Sequence, residues 1–84
     1  MRILLVGDIT YSEYVKDAFI SIRRTNPDIP IHVCNIGGWE ADIDAEWFPV
    51  FRDNITKAFC ANIRATVIGE LLNTFDEDVL YIDA

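Results

Sequence analysis

Basic residues are scarce in this chain: seven Lys and Arg stand against fourteen Asp and Glu, for a formal net charge of −7. A field of that sign repels phosphate backbones, so nucleic acid is excluded as an expected partner. Long apolar runs are also lacking. Although 51% of the residues are hydrophobic, each run stops well short of the roughly 18–20 residues that a membrane span needs. The apolar stretch after Met1-Arg2 covers only residues 3–6 and has no small-residue cleavage site behind it, which excludes a signal-peptide core. The expectation is a cytoplasmic globular protein with no membrane span.

Cysteine and histidine are just as sparse. Cys34 and Cys60 lie in apolar surroundings without a Cys-x-x-Cys or Cys/His spacing, so they read as buried reduced thiols. His32 has no other His, Cys or acid at ligand spacing and reads as a structural or surface histidine. No Ser/His/Asp or Cys/His set and no glycine-rich phosphate loop is present. At 84 residues there is room for one small domain, 1–84, which buries only about 60–65% of its unfolded surface and is marginally stable alone.

What is there is an alternating pattern of strands and helices. Residues 2–7 (RILLVG) form a continuous branched apolar run closed by Gly7-Asp8, the mark of a strand covered on both faces. Thr10 or Ser12 is placed to cap a helix over about 12–25, where Tyr14, Val15, Ala18, Phe19 and Ile22 recur at helical spacing. Residues 31–36 (IHVCNI) alternate apolar and polar more than residues 2–7 do and read as a second strand, partly exposed on one face and stopped by Gly37-Gly38. Residues 39–54 contain Pro49, Trp39, Trp47, Phe48, Phe51 and five acids, and read as a loop carrying at most a short helical turn. A long helix is expected from Asn54 or Thr56 through Phe75, then a third strand over 79–82 (VLYI) ending at Asp83.

This order predicts an α/β fold: a three-stranded, mainly parallel half-sheet flanked by helices and joined by right-handed crossovers. Ligands of such sheets sit beyond the carboxyl ends of the strands, where Gly7-Asp8, residues 36–38 and Asp83-Ala84 fall. A carboxylate there needs a cation or hydrogen-bond donors unless it is solvated. Asp83 is thus either a metal or ribose ligand or a residue at a frayed strand end. Asp42, Asp44 and Glu46 form an acid series at i, i+2 and i+4 that lacks the rest of a calcium loop and reads as solvated. Trp39 and Trp47 read as packing anchors.

Residues 78–84 (DVLYIDA) resemble the lead-in to the D-x-D motif of A-type glycosyltransferases, and the given sequence stops one residue before the second acid. Asp8-Ile9-Thr10-Tyr11 is similar to the D-x-x-Y of the branch that includes glycogenin and the bacterial lipopolysaccharide galactosyltransferases. Arg64, nineteen residues before Asp83, resembles that branch's long-helix arginine. The resemblance implies the Rossmann-like, nucleotide-binding half of the fold, as an incomplete glycosyltransferase domain. It further implies that Asp8 accepts a hydrogen bond from uracil, Tyr11 stacks on the base and Arg64 reaches the sugar and diphosphate. Asp83 would then serve as ribose or metal ligand for manganese or magnesium, a hard oxygen-ligand ion.

Taken from the residues alone, Asp8 is also readable as a turn acid, Tyr11 as a helix-start aromatic and Arg64 as a snorkelling surface arginine; Lys57 reads as solvated or near the ligand edge. The expected function is binding of a UDP-sugar-like nucleotide sugar. Sugar transfer is not expected of the isolated chain, because the second carboxylate and the acceptor half are missing. A second reading is a non-catalytic assembly protein that forms a homo-oligomer or docks on a larger partner through open sheet edges. A third is a response-regulator receiver, suggested by RILLVGD and a strand-end acid, against which stand the single acid after the first strand and the long second helix.

Overall fold

The computed structural model describes residues 1–51 and 57–82, with side chains in the second helix described from residue 62. The elements are β1 (Arg2–Gly7), a 3-10 turn (Ile9–Tyr11), α1 (Ser12–Thr25), β2 (Ile31–Asn35), β3 (Glu46–Trp47), α2 (Lys57–Phe75) and β4 (Val79–Tyr81). All four strands are parallel and lie in the order β3-β2-β1-β4. The fold is therefore α/β, with a four-stranded parallel sheet instead of the expected three. None of the described helices is long and apolar enough to cross a membrane.

Both faces of the central strands are covered: β1 reads as a nearly unbroken apolar run, and β2, expected to be partly exposed on one face, is buried along its whole length, His32 and Asn35 included. On one face Ile3, Leu5, Ile31 and Val33 pack with Val15 and Phe19 of α1 and with Trp39. On the other, Leu4, Cys34 and Ile36 pack with Val67 and Leu71 of α2. Successive residues of a strand point to opposite faces, so a sheet layered between helices buries both sets. Gly7 lets α1 approach the end of β1: a Cβ there would lie 2.8 Å from Val15 Cγ2. At the far end of α2, Asp76 adopts a left-handed backbone with φ of 49°, and its N–H donates to Leu72 O at 3.1 Å. This cap turns the chain directly into β4.

The region expected to be a loop contributes the extra strand. Residues 41–47 (ADIDAEW) alternate, with Ala41, Ile43, Ala45 and Trp47 against the α1-side core and Asp42, Asp44 and Glu46 exposed. The pairing continues past β3, since Phe48 N–H donates to Val33 O at 2.8 Å and Ile36 bridges Val50. Pro49 is tolerated because β3 is an edge: the N–H groups of Phe48 and Val50 point to β2, so the position between them faces away from the ladder. The other expected elements match closely, β1 and α1 at both ends, while the expected start of the second helix at Asn54 or Thr56 lies outside the described residues.

Candidate functional site

The topology itself makes a crevice. From β1 the chain moves through α1 to β2 and then to β3 on one side; α2 carries it back to β4 on the other side of β1. The two crossovers leave by opposite faces, as their separate cores show. The direction of winding therefore reverses between β1 and β4, and the gap beyond their carboxyl ends is the place where open α/β sheets take ligands.

Asp8 follows β1 directly. Its Oδ1 accepts the Thr10 N–H at 2.9 Å and its backbone carbonyl accepts the Tyr11 N–H at 3.1 Å, so Asp8, not Thr10 or Ser12, caps the turn that leads into α1. One carboxylate oxygen is thus tied to the backbone while the residue stays partly exposed. Tyr11 is 54% exposed, and its ring lies 6.2 Å from that of Tyr14, tilted by 45°. Asp8 and Tyr11 are held together on one rigid turn.

Arg64 comes to the same edge from α2. Phe75, at the end of that helix, contacts Arg2 at the amino edge of the sheet, and Arg64 lies eleven residues earlier, about 16 Å up the helix axis. There its NH1 donates to the Tyr81 hydroxyl at 3.2 Å, and its guanidinium lies 5.5 Å from the centre of the Tyr81 ring. Tyr81 is paired with Leu4 of β1 and packs on the α2-side core. Asp83 lies outside the described residues, as do the side chains of Lys57 and Cys60. Among the described residues, no group of three or more His, Cys, Asp or Glu could hold a metal ion.

The β2–β3 connection closes the opposite flank of β1. Gly37 and Gly38 have φ of 91° and 76°, the left-handed region that favours glycine, and a Cβ at Gly38 would run into the Phe51 ring. Trp39, only 8% exposed, donates its Nε1–H to Gly7 O at 2.8 Å and meets Trp47 edge to face at 5.5 Å. Asn35 is buried, donating to the Trp39 carbonyl, with Oδ1 unpartnered within the described structure.

A second polar cluster, at the amino edge, has no counterpart in the sequence reading. Arg2 lies flat on Phe75, 3.4 Å from the ring centre. Its Nε is 2.6 Å from Glu77 Oε1, a charge contact without an aligned hydrogen bond, and its NH1 is 3.5 Å from Glu46 Oε2. The same NH1 is 3.1 Å from His32 Nε2. A guanidinium only donates, so Nε2 accepts in that contact, and the same Nε2 lies 3.3 Å from Glu46 Oε2. Burial pushes the His32 pKa down, with Arg2 acting in the same direction and Glu46 and Glu77 opposing. The partners come from β1, β2, β3 and the turn before β4, too far apart in sequence for spacing to reveal them.

Compared with known proteins, this chain matches no family, no curated protein and no solved structure.

Proposed function

We propose that this chain is the nucleotide-sugar-binding half of a glycosyltransferase-like, Rossmann-like domain. The observation that carries the reading is the winding reversal between β1 and β4, with the Asp8–Tyr11 turn on one flank and Arg64 on the other. A uracil base offers an N–H to the Asp8 carboxylate and a π-face to the exposed Tyr11 ring. The Arg64 fork suits the diphosphate, which it can meet with paired N–H donors. Asp83, two residues past the end of β4 in the sequence, is the residue assigned to ribose or to manganese or magnesium. The reading rests on base and phosphate recognition.

Calorimetric titration with UDP, with and without manganese, tests it. UDP is expected to bind, and Asp8→Ala to abolish most of the heat. Unchanged heat in that variant would remove Asp8 from the pocket.

The competing reading, an assembly protein using its sheet edge, draws support from β4. Its Leu80 is 45% exposed, and among the described residues no strand pairs with its outer side. Light scattering separates the two, since a well-folded monomer that binds UDP retires the assembly role.

A further inference from the structure

We infer that Tyr81 is a positioning residue for Arg64: its hydroxyl holds the guanidinium at the mouth of the β1/β4 crevice, oriented for the phosphates of a nucleotide. The inference rests on the nucleotide reading above and adds to it a residue that the apolar run over 79–82 conceals.

Arginine has a long side chain with many rotamers, and its planar fork binds phosphate well only when the plane is set before the ligand arrives. Tyr81 is built to set it. Its backbone is in register with Leu4, one of the most deeply buried residues of the sheet, and its ring packs against the α2-side core. The hydroxyl is therefore fixed by the strand, not by the arginine it serves. Arg64 reaches it from the other wall, α2, donating from NH1 at 3.2 Å with the guanidinium 5.5 Å from the ring centre. A donor on NH1 serves as the tether. Strand and helix are thereby locked to each other at the level of the ligand edge.

The position also explains why a tyrosine serves in a strand that otherwise needs only apolar bulk. Phenylalanine would fill the same space but could not accept the hydrogen bond from Arg64.

Titration calorimetry with UDP on wild type, Tyr81→Phe, Arg64→Ala and the double variant tests this, with urea unfolding to verify that each is folded. Tyr81→Phe is expected to weaken UDP binding about five-fold, the worth of one hydrogen bond, and to add nothing in the Arg64→Ala background. Arg64→Lys, which keeps the charge and loses the fork, is expected to weaken binding similarly and covers the case in which Tyr81→Phe does not fold. If Tyr81→Phe or Arg64→Lys binds UDP like wild type while Arg64→Ala does not, the positioning role is overturned and the nucleotide reading stands. Additive losses in the double variant would equally overturn it. A folded wild type that gives no heat with UDP overturns the nucleotide reading and this inference together.

Discussion

The two edges of the sheet treat their charged side chains in opposite ways. At the amino edge Arg2 is enclosed by Glu46, Glu77, His32 and the face of Phe75, so a partly buried cation is matched from three sides. At the carboxyl edge Asp8 is tied by one oxygen only to its own turn, and Tyr11 and Tyr14 stand exposed beside it. A network of matched charges closes a fold, because its partners neutralise one another; polar groups and rings presented at a strand-end crevice are available to something outside the chain. The same sheet thus carries an edge whose charges are matched internally and an edge whose Asp8 and Tyr11 stay at least partly exposed.

That contrast breaks most visibly at Arg2. Replacing Arg2 with Ala removes the stack on Phe75 and leaves Glu46 and Glu77 without their cation. A buried pair broken on one side costs about 3–5 kcal/mol, reduced here to about 2–3 because both acids are partly exposed. Urea denaturation should register that loss, while UDP affinity of the folded protein stays unchanged.

Tyr11→Ala should do the reverse. The ring is exposed, so stability should move by no more than about 0.5 kcal/mol, whereas the loss of base stacking should weaken UDP binding by about 1–3 kcal/mol in calorimetry. A stability loss at Tyr11 larger than its binding loss would assign it to packing.

The smallest effect belongs to pH. His32 has a folded-state pKa below its unfolded value, which is near 6.5. The unfolded chain therefore binds the extra proton first, so the stability from neutral His32 is complete above about pH 6.5 and is lost as pH falls toward the folded value. Urea midpoints between pH 7.5 and 5.5 should decline modestly, and His32→Gln should flatten the decline. An unchanged slope in that variant would separate His32 from the amino-edge network.

How much of this was legible depended on how local the cause is. β1 and α1 were readable because burial on two faces and helical spacing leave their mark within a dozen residues. β3 was not, although residues 41–47 alternate cleanly, because Pro49 and two tryptophans obscure a strand whose only ladder among the described residues is to β2. The cap passed from Thr10 or Ser12 to Asp8 because a 3-10 turn precedes α1 and moves the first unsatisfied N–H groups upstream. At the site, Asp8 and Tyr11 could be paired from sequence, being three residues apart on one turn. The bond between Arg64 and Tyr81 could not, since it exists only once α2 is laid across the sheet. Arg2 was invisible for the same reason, its partners lying 30 to 75 positions away.

Pro49 bears on more than the pairing of β3. It removes an amide from the outer side of that strand, and Asp42, Asp44 and Glu46 line the approach to it with negative charge. Any chain arriving there finds a missing rung and an electrostatic barrier. β4 has no such proline within it and displays Leu80. The two edges of the sheet are therefore unequal: the β3 side is blunted by a proline and by charge, and the β4 side, among the described residues, by neither.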